Sequence, residues 1–480
     1  MARYTEDHRE TLQLFAGSLD RLLPPDSVAR AIWAGVERLD FGPLDGLYKN
    51  DAVGRPGVNP RGLVAVWMLA LLRGETSSVR VAQLCGQDVE FRWLVGDGAV
   101  EKTPLCDFRK DHRAEIVSLS AQVLASLGAH GLLPGEPMGV DGTIVRAASS
   151  RHSVKSRRRL ERHRAHLEEL LAQKLSEPES EERSEAVQQL EKRRERLTEA
   201  LEEMTARGLE EATDRLTVTE PDAGLKRQKD GSYAPGYNAQ AVTDLDSGAI
   251  VSVAVVDAGG DGGQLEPQLE RAQAALADCG SGEGAGGIRS VVADGAYHDT
   301  RQLVELEGQG VACYVPEARN GNRQAPGVSP EYRAEAFAYD AGSDTMRCPE
   351  GHELKRRKLN AGETAVVYQA AARTCQSCPA KSQCCPHSGG GRCVSRPLYP
   401  ETLERIAHRL DTEEGLAMKR ARWVVCEGAF ARLQGLLHWH RCRMWGWAGA
   451  EMERVWRQLT LNLLLLTGVW RPRVAAAQAA

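Results

Sequence analysis

The first 135 residues have the hydrophobic spacing of a helical domain. Four apolar positions, Val28, Ile32, Trp33 and Val36, follow a helix-start signal at Pro25–Ser27 and fall on one face of a helix. Residues 59–74 are apolar nearly all round, which is typical of a helix buried on every side. We therefore predict an all-helical domain over residues 1–135, with 59–74 as its central helix.

Residues 77–96 contain two short amphipathic segments, broken around Gly86. Such a pair is compatible with a helix-turn-helix that would bring Arg80, Arg92 or Trp93 close to DNA. An ordinary helical hairpin explains the same pattern and is the simpler interpretation.

Beyond this domain the period of the pattern changes to that of strands. Residues 137–146 predict a strand that carries Asp141, and 236–257 predict two strands joined by the turn D-L-D-S-G. A helix is predicted at 264–278, then a strand at 288–294, a helix after His298, and a strand at 310–316. This order predicts an α/β fold with a mixed sheet of at least five strands, of which the first three form a meander.

A long charged segment, roughly 155–208, interrupts this order. Two leucine stripes at helical spacing, separated by the turn-forming residues Ser176–Ser180, predict an antiparallel helical hairpin. It could serve as a solvated spacer or as an arm that contacts DNA.

Composition adds broad limits. Among 480 residues, 42% are hydrophobic and 26% are charged, which is typical of a soluble globular protein. The longest apolar stretch, near 459–470, is too short and too interrupted to span a membrane, and the chain starts with a polar segment, so we expect a cytoplasmic protein. The formal net charge is −5, but basic residues concentrate at 151–164 and 355–358, which permits a nucleic-acid partner.

Cysteines are concentrated in one segment and are spaced more like metal ligands than like a disulfide framework. Cys375 and Cys378 are arranged as C-x-x-C, with Cys348 before them and Cys384 or Cys385 after them. Four thiolates in such an arrangement could hold a structural Zn²⁺ in a small insert that has little core of its own. Spare ligand candidates are His352, His387 and Cys393. The alternative is a set of reduced cysteines that bind nothing.

Three acids occur at points where the predicted elements change. Asp141 lies on the first strand, Asp294 at the end of the fourth, and Glu427 on a late helix whose buried face would comprise Val424, Phe430, Leu433, Leu436 and Leu437. A carboxylate at the tip of a buried strand is well placed to bind a hard cation such as Mg²⁺.

With these acids the chain resembles a DDE transposase of bacterial insertion sequences. Three motifs resemble those around the family's three catalytic acids: V-D-G-T-I-V-R-A-A-S-S, V-V-A-D-G-A-Y-H-D and C-E-G-A-F-A-R-L-Q. Two further runs resemble the family's segment that leads into the second strand: T-E-P-D-A-G-L and P-G-Y-N-A-Q-A-V-T-D. Five features near the start of the chain resemble the family's N-terminal helical domain: L-L-P-P-D-S, L-D-F-G-P-L, Tyr48, G-R-P-G-V-N-P and D-F-R-K-D-H.

The resemblance implies an N-terminal helical DNA-binding domain at 1–135 that recognises the terminal repeats. It also implies an RNase H-like mixed-sheet catalytic core at 136–316 and 416–470, with the helical hairpin inserted at 151–212 and a Cys-containing insertion domain at 317–415. It implies that Asp141 bridges two Mg²⁺ (or Mn²⁺) ions, with Asp294 on one and Glu427 on the other. These would support hydrolytic cleavage at terminal inverted repeats and joining of the freed 3′-hydroxyl to target DNA.

Further expectations follow from the same resemblance. The active complex is expected to be at least a homodimer on double-stranded DNA, associated with the bacterial nucleoid. Residues expected to contact DNA are Arg146, Lys155, Arg157, Arg158, Arg432, Gln434, His438 and Arg441.

The chain departs from the family's pattern at two positions. Ala296 stands where the family usually has Gly, and Gln434 stands where it usually has a Lys seven residues after the Glu. The loss of that Lys bears on binding of the cleaved end. Two alternatives share these sequence features: an RNase H-fold nuclease without strand transfer, and a domesticated DNA-binding protein whose catalysis has decayed.

Overall fold

The computed structural model describes residue 10 and residues 17–47, 57–134, 136–228, 230–279, 287–317 and 327–470. Two parts of the family-like motifs, Tyr48 and residues 54–56, lie outside these ranges. The chain forms two compact units, the first made of residues 1–289 and 420–480 and the second of 290–419. The unit boundaries differ from the domain boundaries expected from the resemblance, and those stay a prediction.

The N-terminal part of the first unit is helical, as predicted. Its helices are α1 (Leu19–Leu22), α2 (Val28–Val36), α3 (Gly42–Asp45), α4 (Pro60–Leu72), α5 (Ser78–Gln87), α6 (Val89–Leu94), α7 (Lys102–Asp111) and α8 (Arg113–Ala129). The Ser27 hydroxyl caps α2 by accepting from Ala29 N at 3.2 Å. Helix α4 starts with Pro60 and is buried along nearly its whole length, which confirms it as the central helix.

The α5–α6 pair is broken at Asp88 and not at Gly86. Asp88 Oδ1 accepts from Glu90 N at 2.9 Å and so caps the second helix. Trp93 is buried and donates through Nε1 to Asp20, while Arg92 pairs with Asp97 at 2.8 Å. These two side chains are held within the protein, which favours the helical-hairpin interpretation.

The first unit also contains an antiparallel sheet. Its strands and the helices between them are β1 (Met138–Arg146), β2 (Val154–Ser156), α9 (Arg157–Ser176), α10 (Glu181–Ala206), β3 (Arg215–Thr217), β4 (Gly224–Arg227), β5 (Tyr233–Asp244), β6 (Ile250–Val256) and α11 (Leu265–Asp278). Strand β5 pairs with β1, β4 and β6, so the predicted meander β1–β5–β6 is confirmed. The short strands β2, β3 and β4 were not predicted from the sequence.

Helices α9 and α10 confirm the predicted helical hairpin. Its base packs on the small β2–β3 ribbon through Leu160, Ala200, Met204 and Leu216, all of which are buried. Away from this base most side chains are exposed.

The second unit contains a pair of parallel strands and a separate antiparallel sheet. Its elements are β7 (Ser290–Val292), α12 (Thr300–Gly308), β8 (Ala312–Tyr314), β9 (Ala338–Asp340), β10 (Thr345–Arg347), β11 (Glu353–Leu359), β12 (Ala365–Ala370), α13 (Ala372–Gln376), α14 (Lys381–Cys384), β13 (Cys393–Pro397) and α15 (Pro400–Leu410). Strands β7 and β8 pair in parallel, and β9–β13 form a sheet of order β13-β12-β11-β10-β9.

The expectation that the cysteine segment has little core of its own was wrong. One face of the five-stranded sheet buries Met346, Leu354, Val366, Tyr368 and Val394 in a compact cluster. Strands β9 and β10 have three residues each and β11 carries four consecutive cations, so no alternation typical of a sheet was recognisable in the sequence.

Helix α16 (Glu413–Ala431) runs from the second unit into the first and continues as a π-helical turn at Arg432–Leu436. Helix α17 (Gly446–Leu466) is buried along most of its length and packs on β6, where Asn462 Oδ1 accepts from Ile250 N at 3.0 Å. None of the helices in the described ranges is both long and apolar enough to cross a membrane. The molecule is thus of mixed α/β class with N-terminal helices, as predicted.

Candidate active site

Asp141 lies in the middle of β1, where it pairs with Ala241 of β5, and its side chain is half-buried. Because alternate residues of a strand point to the same side, Asp141 shares a face of the sheet with Gly139 and Thr143. These two neighbours show which element covers that face.

The segment from α16 into the π-helical turn covers the face of β1 that carries Asp141. Cys426 packs directly on Gly139 and leaves no room there for a side chain. Further along, Gln434 Nε2 donates to Thr143 Oγ1 at 3.2 Å. The pKa of Cys426 is raised well above its ordinary value, first by burial and then by the negative charge of Asp141.

Glu427 directly follows Cys426 and is exposed. Its carboxylate lies 3.6 Å from the guanidinium of Arg422, which is 19% exposed. Asp141 and Glu427 therefore lie on neighbouring elements of one unit.

The buried face of this helix is only partly the one predicted. Phe430, Leu433 and Leu437 are buried, but Val424 is 40% exposed and Leu436 is 37% exposed. The π-helical turn at Arg432–Leu436 changes the helical period, so a regular 3.6-residue spacing assigns Leu436 to the wrong side.

Asp294 belongs to the second unit. Strand β7 ends at Val292, two residues earlier than the predicted strand, and Asp294 opens a 3₁₀ turn at Gly295–Tyr297. Asp294 Oδ1 accepts from Ala296 N at 2.8 Å. This bond is made by the backbone of Ala296, so it does not depend on whether Gly or Ala occupies that position.

An open cleft of about 980 Å³ lies in the first unit and is lined by the residues of β1 that directly follow Asp141. Residues 142–144 of β1 and Gln434 form part of its wall. Four arginines line it: Arg146, Arg151, Arg227 and Arg441. The acidic residues Asp230 and Asp261 lie on the same lining. The excess of arginine makes the cleft suited to an anionic ligand.

Arg441 serves mainly to hold the rim of this cleft. Its guanidinium donates to the carbonyls of Ala147, Ala148 and Ser149, at 3.0 Å to Ala147 and to Ser149. The backbone at Arg146 and Arg441 also forms a parallel bridge. The chain after β1 is thereby fixed to the segment that follows the π-helical turn.

The other residues expected to contact DNA lie in different environments. Arg158 is exposed, whereas Arg157 donates to Leu209 O at 2.9 Å inside the hairpin base. Lys155 donates to His152 O at 2.6 Å. Arg432 is stacked 3.9 Å from the Trp470 ring, and burial lowers its pKa to about 10.

His438 has a positive φ of 53° and its ring packs on Gly74. Of the residues expected to contact DNA, Arg146, Gln434 and Arg441 line the cleft, and the others do not.

Glu220 is a buried acid whose role in the fold was not predicted from the sequence. This carboxylate is 2% exposed and accepts from Ser149 N at 2.7 Å, Tyr237 Oη at 2.9 Å and Gly446 N at 3.0 Å. It thus joins the chain after β1, strand β5 and the start of α17. An acid flanked by Thr219 and Pro221 in the run T-E-P-D was the available signal, but its three partners are distant in sequence.

Five cysteines line one small cavity in the second unit: Cys348, Cys375, Cys378, Cys384 and Cys385. Cys348 Sγ accepts from His352 N and Cys375 Sγ accepts from Arg392 N, each at 3.3 Å. Burial raises the pKa of Cys384 to about 11. Cys393 is exposed and does not line the cavity.

Within the described ranges, no three His, Cys, Asp or Glu side chains are arranged as a ready-made group for a metal ion. The magnesium and zinc sites expected from the sequence therefore stay predictions.

Comparison with protein families gives two matches. Residues 17–111 match the family described as "Transposase domain (DUF772)", and residues 347–467 match the family described as "Transposase DDE domain". The second match includes Glu427 and the five-cysteine cavity. Searches of curated proteins and of solved structures gave no match. The two family matches, one over the N-terminal helices and one over the segment with the third acid, support a DDE transposase of the insertion-sequence type.

Proposed function

We propose that this protein is a DNA transposase that binds terminal inverted repeats, cleaves the DNA ends and joins the freed 3′-hydroxyl to target DNA. The observation that carries the proposal is the position of Asp141, on the face of β1 covered by the helix of Glu427 and directly before the residues of β1 that line an arginine-rich cleft. An RNase H-like catalytic core is part of the proposal and rests on the family resemblance.

The donor set fits a hard divalent cation. Asp141 and Glu427 supply carboxylate oxygens from one unit, and Asp294 is proposed as the third acid on its resemblance to the second motif. Mg²⁺ is commonly held by one or two protein carboxylates together with substrate phosphates, so a complete protein cage is not required before DNA binds. When two such ions are bound, they activate the attacking oxygen and stabilise the charge on the leaving oxygen.

The cleft side chains are proposed to bind and orient the DNA backbone. Arg146 and Arg151 present guanidinium groups that can donate to phosphate oxygens, and such contacts position a duplex without reading its sequence. Gln434 is a neutral donor already bonded to Thr143, so it offers weaker attraction to a phosphate than a Lys at the same place. We expect binding of the cleaved end to depend more on the arginines.

The proposal implies double-stranded DNA as the main partner. A homodimer is the expected active form, because two ends have to be joined in one event. The protein is then expected in the bacterial cytoplasm, in association with the nucleoid.

This function can be tested by incubating the purified chain with Mg²⁺ and a labelled duplex. The duplex ends in the inverted repeats that flank the gene. Cleavage at the repeat ends followed by joining to a second duplex is expected, with neither product in EDTA. Nicking without joining would replace the proposal by a nuclease, and binding without cleavage would replace it by a domesticated DNA-binding protein.

A structural zinc ion is proposed for the cysteine cavity of the second unit. The ligand set expected from the sequence is Cys348, Cys375, Cys378 and Cys384, all of which line the cavity. Its volume of about 20 Å³ is enough for one small occupant. Because thiolates bind Zn²⁺ tetrahedrally, the side chains have to turn toward a common centre on binding.

Metal analysis of the purified chain is expected to give about one zinc per molecule, and Cys375→Ser/Cys378→Ser is expected to lose it, since two of four ligands are removed. Cys393→Ser is the matched control, because this exposed thiol lies outside the cavity and should leave the zinc content unchanged. A wild-type zinc content indistinguishable from the buffer blank would contradict the site.

A further inference from the structure

The second unit presents a basic surface that the candidate active site does not use. Four consecutive cations, Lys355 to Lys358, lie on β11, the central strand of the five-stranded sheet, and all four are exposed. A central strand is normally the most buried of its sheet, and here only Leu354 is buried. These charges therefore contribute little to the core.

Strand register places the cations on particular faces of the sheet. Leu354 pairs with Met346 and Ala370, so residues in line with it face the buried cluster. Lys355 pairs with Thr345 on one side and Gln369 on the other, on the opposite, outer face.

A β-bulge between Arg356 and Lys358 then changes the alternation. Lys358 pairs with Val367, which is in line with Gln369, so Lys358 joins Lys355 on the outer face. Arg357 is the extra residue of the bulge, and a bulge of this kind redirects a side chain. The outer face thus gathers Lys355 and Lys358, with Arg357 at its margin.

Most of these charges are not neutralised within the protein. Arg356 pairs with Asp344 at 3.1 Å. No carboxylate in the described part of the chain lies within ion-pair distance of Lys355, Arg357 or Lys358. Since unpaired cations on a polar sheet face attract an anionic surface, the patch has the character of a binding site.

The neighbouring side chains indicate which anionic partner fits. Thr345 and Gln369 flank Lys355 with neutral hydrogen-bonding groups, the types that accompany Lys and Arg in contacts to DNA phosphates. The nearby aromatic rings do not lie on this outer face, because Tyr339 pairs with Met346 and Tyr368 is in line with Ala370, both on the face of the buried cluster. A surface without stacking platforms suits the backbone of a duplex better than an unpaired strand.

We propose that the outer face of this sheet, centred on Lys355, Arg357 and Lys358, is a second DNA-binding surface that contacts the duplex backbone without sequence preference. It deepens the proposed function by adding a contact outside the arginine-lined cleft, and it rests on that function only in taking DNA as the partner.

This surface can be tested by measuring the DNA affinity of the full-length chain by fluorescence anisotropy. The probe is a labelled random-sequence 30-bp duplex, in EDTA and over a range of salt concentrations. For Lys355→Glu/Lys358→Glu we expect affinity to fall about tenfold or more at ~0.1 M salt. The slope of log K against log salt should become less steep by about 2, because two phosphate contacts are lost. Lys355→Gln/Lys358→Gln should give a smaller loss of affinity.

The matched control is Arg301→Glu/Arg405→Glu in the same unit, which makes the same change in charge at exposed positions whose cations are already paired with Glu363 and Glu307. The proposal would be overturned if the slope of log K against log salt were equal for the β11 variant, the control and the wild type. It would also be overturned if poly-L-glutamate competed for the wild-type protein as well as DNA does at the same charge concentration. The anisotropy measurement excludes divalent metal and does not depend on cleavage. Failure of the cleavage assay and failure of this DNA-binding proposal can therefore be distinguished.

Discussion

Replacing Asp141 by Asn is expected to abolish metal-dependent DNA cleavage while leaving the fold in place. The substitution keeps the shape of the side chain at a half-buried position between Gly139 and Thr143 but removes the charge that would hold a cation. Residues that act as one catalytic group lose activity on the order of 10³-fold or more when a single member is removed. Time courses of end cleavage in Mg²⁺, with the binding constant measured in EDTA, separate chemistry from DNA binding.

Asp246→Asn provides the matched control, because this acid is exposed in the turn after β5 of the same sheet. The control should cleave within about twofold of the wild type. Asp141→Asn should bind the duplex no more weakly than the control, since removing a negative charge beside the cleft does not reduce its attraction for phosphate. Cleavage by Asp141→Asn at the wild-type rate would refute the assignment of Asp141 as a catalytic acid.

Much of the first unit could be predicted from the sequence because its elements are long and regular. Helix α4 is apolar on every side, the α9–α10 hairpin has continuous leucine stripes, and β6 is an apolar run joined by a turn to the strand-like run of β5. In each of these the hydrophobic period extends over several turns or strand residues, so chance matches are rare.

The cysteine segment was harder to predict for the opposite reason. Strands β9 and β10 have three residues each, and β11 carries four cations in a row across a bulge. Such strands do not show the simple alternation that predicts a sheet. The register that places Lys355 beside Thr345 and Gln369 exists only once all the strands are paired.

The candidate active site shows the same limit at the level of single residues. Asp141 and Glu427 were recognised by their motifs, but the contacts that hold their elements together, Cys426 on Gly139 and Gln434 on Thr143, join residues about 290 positions apart. The π-helical turn has no simple local signal, so the exposure of Leu436 was predicted wrongly.

Glu220 is the position where we expect the largest loss of stability in the first unit. Its buried carboxylate is the common acceptor for Ser149 N, Tyr237 Oη and Gly446 N. In Glu220→Ala the two backbone donors lose this acceptor and have no freedom to turn toward water, while Tyr237 Oη keeps only its longer bond to Asp222 Oδ1 at 3.3 Å. Each hydrogen bond to a charged acceptor contributes about 1.5–3 kcal/mol, and a buried unsatisfied donor carries a further cost. We therefore expect the free energy of unfolding to fall by about 3–5 kcal/mol in urea denaturation.

Two further variants show whether the loss arises from these bonds. Glu220→Gln keeps one acceptor oxygen but turns an N–H₂ group toward the remaining donors, so its loss should be intermediate. Glu210→Ala makes the same residue change at an exposed position and should stay within about 0.5 kcal/mol of the wild type. A loss below about 1 kcal/mol for Glu220→Ala would show that the network does not hold the fold. Because Ser149 lines the cleft, a large loss with weakened DNA binding would mean that this carboxylate stabilises the unit and also sets the shape of the cleft.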